Sequence, residues 1–201
     1  AHFPEIHLRA TSPEPEALIH FGERLMAQSR HRCFGGAQDR FPAVINQALQ
    51  DRGWTLSIAE SCTGGLISQM VTSEPGASAI FQYGAITYAN EAKQNAIAVD
   101  PTLIQTHGAV SEPVVRAMAI GVRNQAQSTL GIATSGIAGP NGGTQEKPVG
   151  TVHLALATPD AVIHRHHQFR GNREIVRKLA AYTALNLVRK ACAGHYSEQG
   201  N

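Results

Sequence analysis

A chain of 201 residues with 42% hydrophobic and 16% charged side chains is long enough to bury one substantial core and too apolar for a disordered or fibrous protein. Its 17 Lys and Arg against 15 Asp and Glu leave a formal charge of +2 without any long run of like charge, so nothing in the charge points to nucleic-acid binding. No apolar run approaches the about 18 residues of a membrane span, and the isolated Cys33, Cys62 and Cys192 suit a reducing, cytoplasmic setting better than a disulfide framework.

The first 36 residues read differently from the rest. Ile6-His7-Leu8-Arg9-Ala10 alternates like a short strand, and Thr11-Ser12-Pro13-Glu14-Pro15-Glu16 opens a helix running to about Arg32. Its apolar face of Leu18, Phe21, Leu25 and Met26 needs something to pack on, so the segment reads as a strand-helix remnant of an upstream module. The start at Ala1 reads as that of a processed product or a fragment.

Cys33-Phe34-Gly35-Gly36 marks a boundary, and a main domain over residues 37–201 follows. Asp39 is expected to cap a helix with Pro42 in its first turn, striped by Val44, Ile45, Ala48 and Leu49. Strands are then predicted at 55–59, 84–88, 130–135, 149–157 and 162–169. Helices are predicted at 63–71, 91–97, 112–129 and 173–190. The last two strands, joined through Thr158-Pro159-Asp160, look like an antiparallel hairpin, so a mixed sheet in a layered α/β/α domain is expected.

The first predicted strand runs straight into Glu60-Ser61-Cys62-Thr63-Gly64-Gly65 and then a helix. A serine at such a turn lies near unpaired amides and the positive end of the helix dipole, both of which favour a developing oxyanion. Gly64 and Gly65 would let substrate approach the backbone closely or donate to a phosphate, and the amides around Thr63–Gly65 would hold the oxyanion; the alternative is that Ser61 or Thr63 merely caps the helix. Lys93, in Tyr88-Ala89-Asn90-Glu91-Ala92-Lys93, is the candidate base, provided that burial or a nearby cation lowers its pKa; otherwise it is a solvated surface lysine. Tyr88 at a strand end is a candidate for positioning substrate or relaying a proton, or is an ordinary sheet aromatic. A Cys62 nucleophile is a rival, with no histidine nearby in sequence.

Ser135-Gly136-Ile137-Ala138-Gly139-Pro140-Asn141-Gly142-Gly143-Thr144 follows a strand, and its amides can converge on a phosphate or ribose. It is neither a P-loop nor a dinucleotide fingerprint, and a structural hairpin loop is the alternative. Lys147, beside Glu146, is available to a phosphate, as is Arg173 at the start of the last helix, with Arg177 one turn on; the arginines can equally be surface or inter-subunit ion-pair residues. His107-Gly108-Ala109-Val110-Ser111 reads as structure shaping the site, with Ser111 as a helix cap. Along one strand His164 and His166 share a face while His167 faces away, so no three-ligand metal set is expected and an exposed basic strand is.

Taken in order, Ala59-Glu60-Ser61-Cys62-Thr63-Gly64-Gly65, Tyr88-Ala89-Asn90-Glu91-Ala92-Lys93, His107-Gly108-Ala109-Val110-Ser111, Ser135-Gly136-Ile137-Ala138-Gly139-Pro140 and Glu146-Lys147-Pro148-Val149-Gly150-Thr151-Val152 resemble the CinA C-terminal family of nicotinamide mononucleotide deamidases. The resemblance covers residues 39–190, and the first 36 residues look like the tail of that family's middle module. It implies hydrolysis of nicotinamide mononucleotide to nicotinate mononucleotide and ammonia, with Ser61 and Lys93 at the family's proposed catalytic positions. It also implies a homodimer or larger homo-oligomer, no cofactor and no required metal. Ala89 departs from a serine common in relatives. The rival readings are a non-catalytic nucleotide-binding or partner-recruiting module and, behind it, a metal-dependent hydrolase.

Overall fold

The computed structural model describes residues 3–29 and 32–195. Helix α1 (Pro15–Ser29) buries none of its residues, and residues 30 and 31, just before the predicted stop, lie outside the described residues. The expected strand at residues 6–10 does not form, because a lone strand without a pairing neighbour leaves its ladder groups unmatched; the segment is irregular. Ile6, Leu8, Ile19, Phe21 and Met26 stand exposed. One tie to the main body is the Tyr182 hydroxyl, which donates to the Glu5 carboxylate at 3.0 Å.

Helix α2 (Phe41–Asp51) begins with Pro42 in its first turn. Asp39 does not cap it: Arg40 holds the N-cap position, and the Asp39 carboxylate instead accepts the Gly36 amide at 2.7 Å. The chain continues through β1 (Leu56–Glu60), α3 (Leu66–Thr72), a 3-10 turn (Ala77–Ala79), β2 (Phe81–Ile86), α4 (Asn90–Ile97), α5 (Pro101–His107) and α6 (Glu112–Ala126). It closes with β3 (Leu130–Gly136), β4 (Thr151–Ala157), β5 (Val162–Gln168) and α7 (Arg173–Cys192). Helix α5 lies outside the predicted elements; its signal is Asp100 ahead of Pro101, and the Asp100 carboxylate caps it by accepting the Thr102 amide at 2.8 Å.

The five-stranded sheet has the order β2-β1-β3-β4-β5, with β2, β1 and β3 parallel and the β3-β4 and β4-β5 pairs antiparallel. Side-chain size sorts its two faces. Leu56, Ile58, Leu130, Ile132, Val152, Leu154 and Leu156 enter one core with residues of α2, α3 and α7. Ala59, Ala85, Ala133, Ala155 and Ala157 enter the other with α4, α5 and α6. The small face lets α6 lie close: a Cβ on Gly131 would stand 2.2 Å from the Ala119 carbonyl oxygen. Helices on both faces of a mixed sheet give the expected α/β/α layering.

From β1 the chain passes through α3 to β2 on one side, then through α4, α5 and α6 to β3 on the other. The order reverses at β1, and in such sheets the crevice beyond the carboxyl ends of the strands at the reversal is the usual ligand site. Ser61 follows β1 directly.

Candidate functional site

Beyond Glu60 the chain makes a tight turn whose Gly64 and Gly65 have φ of 59° and 93°, a left-handed conformation that a side chain would strain. The turn is held from three directions. The Ser61 amide donates to the Thr134 carbonyl on β3 at 3.1 Å, and the Thr63 and Thr134 hydroxyls pair at 2.8 Å. From α7, Arg177 donates to the Thr63 carbonyl through Nη2 at 2.7 Å and Nε at 3.3 Å. The buried Glu60 carboxylate accepts the amides of Gly65, Ile67 and Ser68 and the Ser68 hydroxyl. Gly64 and Gly65 therefore spend their amides inside the turn, on the Ser61 carbonyl and on Glu60. Among the described residues, the Cys62 and Thr63 amides donate to no backbone carbonyl.

Lys93 is 1% exposed, so it is not a solvated surface lysine. It shares the inward face of α4 with Ile97, one turn on, and helical side chains lean towards the N-terminus, which carries its long stem back over the loop before the helix. Nζ lies 2.7 Å from the Thr87 carbonyl oxygen, 3.4 Å from that of Tyr88 and 3.4 Å from Ser61 Oγ. Burial pushes the ammonium below its ordinary pKa. A neutral amine has two N–H donors and one lone pair. The charged form donates to all three oxygens; once a proton is lost, the two carbonyls, which can only accept, keep the two N–H groups and the lone pair is left for the Ser61 hydroxyl proton. Cys62, next in the chain, is buried and its thiol is pushed up to about 12, mainly by desolvation, which leaves it protonated at neutral pH and a poor nucleophile.

Tyr88 keeps its ring exposed, and its hydroxyl accepts from Arg173 Nη2 at 3.0 Å. Arg173 Nη1 donates to the Gly139 carbonyl at 3.0 Å, so Tyr88, Arg173 and Gly139 bridge the loops after β2 and β3 through the start of α7. Ser135, buried near the end of β3, donates to the Ala109 carbonyl at 2.7 Å. Gly136 leaves no room for a Cβ, which would stand 2.7 Å from the Thr151 carbonyl oxygen. Thr144 and Lys147 bond each other, and Lys147 Nζ donates to the His107 carbonyl at 3.0 Å. Gly142 and Gly143 lie on that same loop, close to Ile137 and Val149 respectively. Among the described residues no hydrogen bond links Lys147 to Ser61 or Lys93. Ser111 occupies an N-cap position but turns its hydroxyl to the Gly108 carbonyl.

The residues that sequence reasoning missed are Glu60 and Thr134, and it left Arg177 as a phosphate or surface group. The signal for Glu60 was available: an N-cap glycine offers no side chain to α3, so another acceptor must supply one. His164 and His166 share a face as expected, but the strand is less exposed than anticipated. His153 of β4 joins them, its ring stacked on both, with His153 Nδ1 3.0 Å from His164 Nε2 and His164 Nδ1 3.3 Å from Glu112 of α6. His167 faces away and stacks on Phe169. No group among the described residues is arranged to hold a metal ion.

A layered α/β protein with a serine–lysine pair at the strand reversal is the class that this fold and site define. Residues 38–192 match the CinA C-terminal domain, and the chain belongs to that family, which includes enzymes. CinA-like proteins of Anaeromyxobacter dehalogenans and Anaeromyxobacter sp. (strain Fw109-5) are 45% and 47% identical over 194 and 195 residues, 95% of this chain in each case. The chain spans about half the length of these relatives, 48% and 47%. Among solved structures, the competence/damage inducible protein CihA of Agrobacterium tumefaciens aligns with a TM-score of 0.74 at 36% identity, over 80% of this chain and 98% of its own. A CinA superfamily protein of Klebsiella pneumoniae gives 0.74 at 33%, over 77% and 96%. No helix among the described residues is long and apolar enough to cross a membrane.

Proposed function

We propose that the chain is an amidohydrolase that converts nicotinamide mononucleotide to nicotinate mononucleotide and ammonia, with Ser61 as nucleophile and Lys93 as base. The observation that carries the reading is the buried Lys93 amine 3.4 Å from Ser61 Oγ, with carbonyl oxygens as its other neighbours. Neutral Lys93 takes the Ser61 proton as Oγ bonds to the carboxamide carbon, a step for which apo separations of this size are typically loose and tighten with substrate. The amides of Cys62 and Thr63 are the donors left for the oxyanion, since those of Gly64 and Gly65 are engaged. The C–N bond then breaks, the Lys93 ammonium returns its proton to the departing ammonia, and water attacks the acyl-serine to release nicotinate mononucleotide.

The exposed Tyr88 ring would flank the pyridine ring, and Arg173, bonded to its hydroxyl, would turn from Gly139 to the phosphate. Gly139, Gly142, Gly143, Thr144 and Lys147 would complete the phosphate and ribose side, with Ser135 and Gly136 forming its floor. A remote phosphate contact would orient the carboxamide over Ser61. A homodimer or larger homo-oligomer is part of the same proposal. Ammonia release from nicotinamide mononucleotide, measured for the wild type, Ser61→Ala and Lys93→Ala, tests it. Loss in both variants is expected; unchanged turnover in Ser61→Ala sinks the serine mechanism, and binding without ammonia release would favour a non-catalytic nucleotide-binding module.

A further inference from the structure

Glu60 is fully buried at the end of β1, and its four hydrogen bonds all run to the start of α3. Oε2 accepts the Gly65 and Ile67 amides, each at 3.0 Å; Oε1 accepts the Ser68 amide at 2.8 Å and the Ser68 hydroxyl at 2.7 Å. Gly65, at the N-cap of α3, has φ 93° and no side chain, so the usual local cap is absent. A carboxylate five residues earlier takes its place. Because that carboxylate belongs to the residue just before Ser61, capping the helix also closes residues 61–64 into a loop whose two ends are fixed to each other.

Two consequences follow for Ser61. Its backbone has little freedom, held by Glu60 across the turn and by its own amide on Thr134. The positive end of α3 is already matched by a buried anion, so the helix dipole expected from sequence to support an oxyanion is spent on Glu60.

We infer that Glu60 is a positioning residue for the nucleophile: its carboxylate, bonded to the first amides of α3, holds Ser61 Oγ against Lys93 and turns the Cys62 and Thr63 amides towards the reacting carbonyl. This rests on the reading of Ser61 as nucleophile, and its main test needs no nucleotide. The probe is an alkyl fluorophosphonate, which bonds to a reactive serine Oγ as fluoride leaves. Its rate of attachment to Ser61 is followed by mass spectrometry across pH, on the full chain below its melting temperature.

Glu60→Gln keeps the size of the side chain but presents an amide nitrogen to backbone N–H groups. It is expected to slow labelling about 100-fold, the scale of an ångström misplacement, with the midpoint of the pH profile unchanged and, for ammonia release, kcat lowered far more than KM. Ser68→Ala deletes only the hydroxyl bond and guards against an unfolded Glu60→Gln; it is expected to slow labelling about three- to tenfold, on the scale of one hydrogen bond. Wild-type labelling rates in either folded variant overturn the inference. So does a shifted midpoint with an unchanged plateau, which would make Glu60 an electrostatic influence on Lys93. Wild-type protein that labels at Ser61 but releases no ammonia refutes the substrate reading alone; no labelling of Ser61 in the wild type overturns both.

Discussion

Lys93 Nζ lies 3.4 Å from Ser61 Oγ, and its other hydrogen-bond neighbours among the described residues are the carbonyl oxygens of Thr87 and Tyr88, so the amine has one hydroxyl to act on. Burial lowers the pKa of this lysine from its usual 10.5, so the neutral base appears at lower pH than on an exposed side chain. Accordingly kcat/KM for ammonia release should rise with pH as Lys93 loses its proton, with a midpoint below 10.5. Lys93→Met should lower the plateau about a thousandfold, within the usual range for losing a general base. A full pH profile of both proteins checks this, and a rising limb retained in Lys93→Met would assign it to another group.

Arg173 joins Tyr88 to Gly139 at the outer rim of the site. Arg173→Ala should raise KM for nicotinamide mononucleotide about tenfold or more, as a charge-assisted contact is worth roughly 1.5–3 kcal/mol. The same variant should treat the nucleoside lacking the phosphate as the wild type does. Equal losses on both substrates would show that Arg173 shapes the rim and does not meet phosphate.

His153, stacked between His164 and His166, should make the fold sensitive to acid. Burial chiefly, then the neighbouring His166 and His164 and Lys147, hold His153 at about 4, against 6.5 for a free imidazole, with Glu112 opposing them. The unfolded chain therefore binds the proton first as pH falls below 6.5, and the stability present above that value is lost towards pH 4, about 1–2 kcal/mol for this half-buried ring once solvent screening is allowed for. Urea unfolding midpoints between pH 7.5 and 4.5 measure the loss. His153→Phe should flatten it, and an equal slope in that variant would place the sensitivity elsewhere.

Gly131 sits where α6 presses on the small face of the sheet. Gly131→Val should destabilise the domain by about 2–4 kcal/mol through overpacking against backbone, and so lower Tm by roughly 4–15 °C. Calorimetry decides; a change under 2 °C would mean that α6 can lift away.

Much of the fold was legible because periodicity and size report burial directly. The runs at 130–135 and 149–157 have too few polar residues to face water, and they hold the buried strands β3 and β4, the second starting at Thr151 after a turn at 149–150. Position 39 misled because capping depends on where an aspartate finds amides, and Asp39 found that of Gly36. Residues 6–10 misled because alternation predicts a strand only where another strand can pair with it.

By itself the sequence determined the layered α/β/α architecture, the antiparallel hairpin and the placing of Ser61 at a glycine-rich turn from strand to helix, because these follow from local pattern. Tertiary structure alone decided that Lys93 is buried beside Ser61, 32 residues away in the chain. It also decided that the donors at the start of α3 belong to Glu60, and that Arg177 braces the turn at Thr63. Each of these depends on which long side chain reaches which unpaired backbone group, and that is settled only when the sheet brings the carboxyl ends of β1, β2 and β3 together.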